Sequence, residues 1–270
     1  MRFLTPAQRK RLLWAYRLCP ASPWYRAARA RLCAARPLVS ILVPTFNRAD
    51  MIGPAVESLL AQSWRHIEVL VIDDGSTDET PAVVEGLARR DERVRPLRLP
   101  ANVGTYAALN HGLAAAQGQF FTTHGSDDRA HRRRVEVHLL PFFAAPAPVA
   151  TATDYIRAPS DRAWADRRRC LCLMIDRARM LEAVGGYDPV RRGGDFELYE
   201  RLKVAFGPRA VTHIPRVLYY ALAHAGSLTS DSDIAAGHLS AERQAYIEHF
   251  RAWHAAELAA GRLPHRPLRE

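Results

Sequence analysis

Val69-Leu70-Val71-Ile72-Asp73-Asp74-Gly75-Ser76-Thr77-Asp78 runs four apolar residues straight into two adjacent carboxylates and then a turn. An uninterrupted apolar run bounded by Gly75-Ser76 fits a strand buried on both faces of a parallel sheet. In open α/β sheets, ligands collect at the carboxyl ends of such strands. Asp73 and Asp74 sit at that end. A carboxylate there accepts hydrogen bonds from a sugar hydroxyl, a base N–H or a metal-bound water. A second junction of the same kind follows, Gln119-Phe120-Phe121-Thr122-Thr123-His124-Gly125-Ser126-Asp127-Asp128. Either aspartate pair alone is equally a turn or a helix N-cap. Two strand ends with paired aspartates point to a site.

Outward from these strands the pattern is βα alternation. Strands are expected at 38–43, 67–72, 94–99 and 119–123. Helices are expected at 50–62, with Asp50 as N-cap, at 79–90, with Pro81 in the first turn, and at 105–117. This order predicts a doubly wound parallel core. Beyond Asp128 the pattern loosens. Residues 129–143 read as helix, 146–153 and 169–175 as strands, and 176–184 as a short helix ended by Gly185-Gly186. A helix over 195–206 follows the turn Arg192-Gly193-Gly194. Two short strands, 211–214 and 217–220, are separated by Pro215, and 234–258 reads as a long C-terminal helix.

The chain has 270 residues, 48% hydrophobic, enough for one large α/β domain with appendages. No apolar run approaches the length of a membrane-spanning helix. The start lacks a sustained apolar stretch with a small-residue cleavage site, so a cytoplasmic protein is expected. The formal charge of +10 is unevenly spread. Residues 1–36 hold nine Lys or Arg and no acid, and subtracting these leaves +1 over residues 37–270. Thr5-Pro6 marks a helix start. A second helix, 24–35, places arginines beside Trp24, Tyr25 and Leu32. Such a basic, aromatic arm either lies on an anionic membrane surface or packs on the main domain. Cys170 and Cys172, two apart in a strand-like stretch, are expected to face opposite ways as free thiols. Arg132-Arg133-Arg134 reads as a solvated helix face.

Val39-Ser40-Ile41-Leu42-Val43-Pro44-Thr45-Phe46-Asn47-Arg48, then Val71-Ile72-Asp73-Asp74-Gly75-Ser76-Thr77-Asp78, then Gly125-Ser126-Asp127-Asp128, resemble a family 2 glycosyltransferase of the bacterial surface-polysaccharide type. The resemblance covers roughly residues 37–228. It implies an α/β fold of the GT-A kind, Rossmann-like and mostly parallel, with helical appendages at both ends. It implies transfer of a sugar, usually with inversion, from a nucleotide-sugar to a polysaccharide or lipid-linked glycan. The domain reading is a basic arm over 1–36, a catalytic domain over 37–230 with a nucleotide half (37–128) and an acceptor half (129–230), and a C-terminal helix and tail over 231–270.

The resemblance also carries residue roles. Asp74 corresponds to the residue that contacts the base, and a carboxylate opposite an imide N–H favours uracil or thymine. Thr45 and Phe46 end the first strand, and an aromatic ring there stacks on any base face. Asn110 reaches the nucleotide from the helix after Gly104 and Thr105. Asp127 and Asp128 match the family's metal motif, whose common form is Asp-Ser-Asp-Asp, with Gly125 in the first place here. Asp128 is the expected ligand for Mg²⁺ or Mn²⁺, and Asp127 the contact to ribose or metal-bound water. Gly193-Gly194-Asp195-Phe196-Glu197-Leu198-Tyr199-Glu200-Arg201 resembles the second acidic motif. There Asp195 is the catalytic base, a role compatible with helix N-capping, and Glu197 orients the base or binds acceptor, with Arg201 paired to it at i,i+4. His224-Ala225-Gly226-Ser227 resembles a His-x-x-Ser element whose histidine ligates the metal or contacts diphosphate.

Two other readings are open. A degenerate relative would bind nucleotide without transferring, with Gly125 as its support. A nucleic-acid-binding protein would need basic residues along a groove, whereas the excess here lies in one arm beside an acidic site, so no nucleic acid is expected. A dehydrogenase fails because no GxGxxG follows the first strand.

Overall fold

The computed structural model describes residues 5–158, 168–222 and 241–268, the side chain of Arg9 excepted. Among these, nine strands form one sheet in the order β3-β2-β1-β4-β8-β6-β9-β5, with β7 beside β6. The strands are β1 Val39–Thr45, β2 Ile67–Asp73, β3 Val94–Arg98, β4 Phe120–Thr123, β5 Arg129–Ala130, β6 Ala150–Ala158, β7 Arg168–Arg169, β8 Met174–Asp176 and β9 Val211–Leu222. β3, β2, β1 and β4 are parallel, β8 runs against β4 and β6, and β6 and β9 are parallel. The helices are α1 Pro6–Arg17, α2 Pro23–Ala35, α3 Ala49–Leu60, α4 Thr80–Arg90, α5 Thr105–Ala115, α6 Arg134–Leu139, α7 Arg177–Ala183, α8 Gly194–Phe206 and α9 Ala241–Ala259. This is the α/β architecture expected.

The period-2 alternation of a strand explains the two cores. Val39, Ile41 and Val43 of β1 face one side and pack with Ile52, Val56 and Leu59 of α3. Leu42, Leu70 and Ile72 face the other and pack with Ala108, Leu109 and Leu113 of α5. Both faces of β1 and β2 are thus buried, which is why their sequences are apolar without a break. Glu68 is the charged exception, bonded by Ser40 Oγ at 2.5 Å, by the Gln117 amide at 2.7 Å and by Arg95. Burial pushes its carboxyl up, but these three donors outweigh it and hold it below 4.5. A depressed carboxyl contributes stability above its unfolded value and loses it as pH falls through the folded one. Glu68→Gln should therefore destabilise more at about pH 7 than at about pH 3, read by urea unfolding at both. An equal cost at the two pH values would contradict this.

Several elements differ from expectation. Asp50 lies in the first turn of α3, and Arg48 holds the cap position without a side-chain bond. The donors there are satisfied from the neighbouring loop instead: Thr80 Oγ1 accepts from the Arg48 amide and Asp78 Oδ2 from that of Ala49. Residues 129–143 are not one helix but β5, α6 and a 3₁₀ turn, Leu140–Phe143. Residues 170–173 break the strand expected over 169–175. In that irregular stretch Cys170 and Cys172 are free thiols, and both line one cavity, so they do not face opposite ways. β9 runs through Pro215 as one strand, because a register shift opposite Ala152 and Asp154 absorbs it. α9 is described from Ala241 onward, and the expected start at Ile234 lies outside the described residues.

The basic arm packs on the sheet. Thr5 and Gln8 form a reciprocal capping box at the start of α1. Trp14, Tyr25, Ala28 and Leu32 join the core that contains Val39 and Ile41. Tyr25 donates to Glu136 at 2.7 Å. Leu12, Leu13 and Tyr16, however, remain exposed on α1. No helix among the described residues is long and apolar enough to cross a membrane.

Candidate active site

The chain reverses its lateral direction between β1 and β4, the position where open α/β sheets leave a crevice at their carboxyl ends. Thr45 ends β1, and residues 124–128 follow β4 beside it. The two loops, with Asp74 after β2, enclose a cavity of about 700 Å³ that also includes Phe46, Asp127 and Asp128 among its walls. Arg48, Arg191 and Arg192 line the same cavity. Thr45 Oγ1 is buried with no hydrogen-bond partner among the described residues. A buried hydroxyl without a partner costs about 1–3 kcal/mol, so this atom points to a ligand. Phe46 is 41% exposed at the rim.

Asp74 is held by its own loop. Its Oδ1 accepts from the Val103 amide at 2.8 Å and its Oδ2 from Gly104 at 2.9 Å. The fit requires Gly75, whose φ is +76° and whose added Cβ would sit 2.8 Å from the Ala101 carbonyl carbon. Each Asp74 oxygen keeps lone-pair capacity for a further donor.

Asp128 Oδ2 accepts from the Tyr219 hydroxyl at 2.5 Å, and Oδ1 accepts from the Leu222 amide at 3.0 Å. Burial, then the charge of Asp127, pushes its carboxyl up to about 6. Tyr219 also accepts from the Gly125 amide, so one phenol ties the loop after β4 to β9. Arg134 supports the same loop from beneath. It is 1% exposed and donates to Thr122 Oγ1, Thr123 O and Cys172 O. The expectation of a solvated arginine run is therefore corrected: this guanidinium supplies donors that buried carbonyls at the end of β4 need. Burial, then Arg134, holds His124 well below 6.5, so its imidazole is neutral.

Gly125 has a steric reason. A Cβ at this position would strike Asp128 Oδ2 and sit 2.9 Å from Asp127 Oδ1. Restoring an acid by Gly125→Asp should weaken Mn²⁺ binding in the presence of UDP, because the new side chain displaces the Asp128 carboxylate and adds like charge. Tighter Mn²⁺ binding by calorimetry would show the opposite.

A second cavity, of about 760 Å³, shares Asp128 and Ala221 with the first and carries Asp195 and Phe196 in its wall. Gly193, with φ +83°, caps α8, so Asp195 is not the N-cap but lies one residue inside the helix. Its Oδ1 accepts from the Tyr106 hydroxyl at 2.7 Å and from the Phe196 amide at 2.9 Å. Both bonds use one oxygen, which leaves Oδ2 to take a proton. Burial, then the Asp195 carboxylate, holds the Tyr106 phenol well above 10. Tyr106 therefore stays a donor. The α8 helix N-terminus adds favourable potential for negative charge at the same place.

Two expected site residues are elsewhere. Asn110 is not in the wall of the first cavity: its Nδ2 donates to Tyr187 O at 2.9 Å and its Oδ1 accepts from Tyr187 N at 2.8 Å. Its amide is spent pinning the chain after Gly186 to α5. Glu197 does not face an acceptor, since it is 0% exposed with one oxygen on Arg201 at 2.8 Å and the other on His254 at 2.8 Å. His224 lies outside the described residues. Tyr106, Tyr219 and Arg191 escape the sequence reading, which takes Arg134 as solvated and Arg192 as part of a turn. Only Arg191 had a signal, its adjacency to the Arg-Gly-Gly-Asp turn.

Among the described residues no group of three or more His, Cys, Asp or Glu side chains is arranged to hold a metal. Asp127 and Asp128 nonetheless fit a hard divalent cation. They are oxygen donors in the wall of one cavity, and a cation beside them would offset the burial and the neighbouring Asp127 charge that push the Asp128 carboxyl up.

The family model described as glycosyl transferase family 2 matches residues 40–202, more than half of the chain. The chain belongs to glycosyl transferase family 2. It is 32% identical over 159 residues to the putative teichuronic acid biosynthesis glycosyltransferase TuaG of Bacillus subtilis, covering 53% of this chain and 63% of that protein. The alignments of the first three curated relatives cover 41%, 63% and 33% of their lengths. Two solved structures share the fold. S. aureus TarS 1–349 in complex with UDP-GlcNAc matches with a TM-score of 0.58 at 20% identity, covering 72% of this family 2 chain and 61% of that one. The mannosyltransferase PcManGT from Pyrobaculum calidifontis, in complex with GDP-Man and Mn²⁺, matches with a TM-score of 0.56 at 20% identity, covering 78% and 67%.

Proposed function

We propose that this family 2 chain is a metal-assisted, inverting glycosyltransferase that moves a sugar from a nucleotide-sugar, a UDP-sugar by its Asp74, to a glycan or lipid-linked acceptor. The observation that carries this reading is the pair of cavities meeting at Asp128, with Asp195 in the second wall. In the first cavity Phe46 stacks on the base and Thr45 and Asp74 bind its polar edge. Asp127 and Asp128 would hold Mg²⁺ or Mn²⁺, which would supply positive charge against the diphosphate leaving group. Arg48, Arg191 and Arg192 add fixed cations on the same wall.

In the second cavity Asp195 Oδ2 takes the proton of the acceptor hydroxyl as that oxygen bonds to the anomeric carbon and the bond to the nucleoside diphosphate breaks. The Tyr106 hydroxyl bond on Oδ1 holds the carboxylate in place. Attack from the face opposite the leaving group inverts configuration. Residues 37–128 then form the nucleotide half and 129–230 the acceptor half.

Similarity to polysaccharide-building relatives supports a surface polysaccharide, capsule or lipopolysaccharide type, as product. The arm over residues 1–36 supports work at the inner face of the cytoplasmic membrane, with Leu12, Leu13 and Tyr16 turned outward among basic residues. Co-sedimentation with anionic liposomes at low salt tests that placement. Full chain that stays in the supernatant argues against it.

The central test is a UDP-sugar panel with Mn²⁺ or EDTA, run on wild type, Asp128→Ala and Asp195→Ala. Metal-dependent UDP release, lost in Asp195→Ala with UDP binding retained, is the expected result. No nucleotide binding by wild type would overturn the reading. UDP binding without turnover, with a range of acceptors supplied, would favour the degenerate relative.

A further inference from the structure

The turn that leads into Asp195 meets two tyrosine rings, and one of them lies outside the family match, which ends at residue 202. Gly193 caps α8 and Gly194 begins it, so Asp195 follows directly. From α5, the Tyr106 ring lies against Gly194, where an added Cβ would sit 2.8 Å from its Cγ. From α9, the Tyr246 ring lies against Gly193, where an added Cβ would sit 3.3 Å from its Cδ1. Tyr106 also holds Asp195 itself. Tyr246 holds the other end of the loop, because its hydroxyl donates to Asp188 Oδ2 at 2.9 Å. Burial, then the Asp188 charge, holds the Tyr246 phenol above 10, so it stays a donor.

The tail after α9 fixes Asp188 in turn. Arg266 Nε lies 3.4 Å from Asp188 Oδ1, and the Arg266 Nη2 donates to Oδ2 at 3.5 Å. The tail also pairs its backbone with the stretch before the loop: the Arg266 amide donates to Val184 O at 3.0 Å, and the Gly186 amide to Arg266 O at 2.8 Å. The Arg266 guanidinium stacks on Trp253 of α9 at 3.9 Å, which joins tail to helix. The loop held in this way carries Arg191 and Arg192 into the wall of the first cavity and leads Asp195 into the wall of the second. A base must meet its proton within hydrogen-bond reach, and a misplacement of about 1 Å costs on the order of 10²-fold in rate. The grip on both ends of this loop therefore bears on the chemistry.

We propose that Tyr246 is a positioning residue for sugar transfer, holding the turn at Gly193 so that Asp195 Oδ2 meets the acceptor hydroxyl. It acts through the backbone of residues 188–195, with its ring on Gly193 and its hydroxyl on Asp188. The C-terminal helix and tail thus belong to the working site, although the matched region stops before them. The inference rests on the transferase reading above, in which Asp195 is the base.

The test is a double-mutant cycle in single-turnover transfer by the full chain, at saturating donor and Mn²⁺, with the donor and acceptor that the UDP-sugar panel turns over. Tyr246→Leu removes both ring and hydroxyl and should slow transfer by about 10–100-fold. In the Asp195→Asn background the same change should cost about threefold or less, because the base that it positions is gone. A merely structural role would cost the same in both backgrounds. That result, or a Tyr246→Leu rate within about twofold of wild type, overturns the proposal. Tyr246→Phe keeps the ring on Gly193 and should recover most of the loss. Where Tyr246→Leu fails to fold, as thermal unfolding would reveal, Tyr246→Phe carries the cycle with an expected cost of about threefold that vanishes beside Asp195→Asn. Hydrogen exchange read by mass spectrometry follows the loop without any acceptor. The peptide over residues 188–196 should exchange about tenfold faster in Tyr246→Leu than in wild type, while β1 is unchanged. Equal exchange over 188–196 also overturns the proposal. A wild type without transfer, or an Asp195→Asn variant as fast as wild type, fails the transferase reading itself, a result distinct from a working base with an additive Tyr246 cost.

Discussion

Asp195→Asn is expected to lower sugar transfer by about 10²–10⁴-fold, the range for loss of a positioned general base, while UDP affinity stays near that of wild type. The amide has nearly the shape of the carboxylate, and its oxygen still accepts from Tyr106 and from the Phe196 amide. What it loses is the ability to take a proton. Asp195 lines the second cavity and not the first, where the nucleotide is proposed to bind, so UDP binding has no reason to change. Single-turnover measurements separate the two quantities: the chemical step should slow while the nucleotide dissociation constant holds. Transfer within a few fold of wild type would remove Asp195 from the role of base. Tyr106→Phe should do less, since it leaves the base in place and removes only one bond that orients it.

Arg201→Met should destabilise the fold by about 3–5 kcal/mol, the range for breaking a buried ion pair from one side. Arg201 and Glu197 are both 0% exposed, paired at 2.8 Å, and Arg201 also donates to the carbonyls of Val184 and Gly186. Removing the guanidinium strands a buried carboxylate, with His254 as its remaining partner, and two carbonyls. The half-buried pair Lys203–Glu200, on the same helix, gives the contrast. Lys203→Ala should cost no more than about 1 kcal/mol. Urea unfolding of both variants decides the matter, and similar losses would show that burial is not the controlling factor. The network also binds α8 to α9 and to the turn at Gly186. Transfer by Arg201→Met should therefore fall even below its melting temperature, because α8 carries Asp195.

Residues 37–128 were legible because they serve a single strong pattern. β1 and β2 are buried on both sides, so each position reports the same preference, and their ends fell within a residue or two of expectation. The four carboxylates Asp74, Asp127, Asp128 and Asp195 sit at strand ends or a helix start that local turn chemistry announces. Asn110 and Glu197 misled for one reason. Each lies on a helix near the site, but a helix turns its side chains through 100° per residue, and the neighbours decide which faces are wet. Asn110 met Tyr187, and Glu197 met Arg201 and His254. Asp50 misled because the donors it was expected to cap were satisfied by Asp78 and Thr80 across the loop.

Local sequence by itself determined the alternation of strands and helices from Pro37 to Thr123, the buried faces of β1 and β2, the capping of α1 and α7, and the acidic ends of the strands. These follow from interactions among residues close in the chain, which periodicity and turn chemistry record. The tertiary structure alone decided that Tyr219 fastens Asp128, that Tyr106 holds Asp195, and that arginines from β6, β7 and α9 share one wall. Each joins groups separated by tens of residues. Nothing in the local chain encodes such a meeting, because it arises only when the sheet brings distant strand ends to one edge.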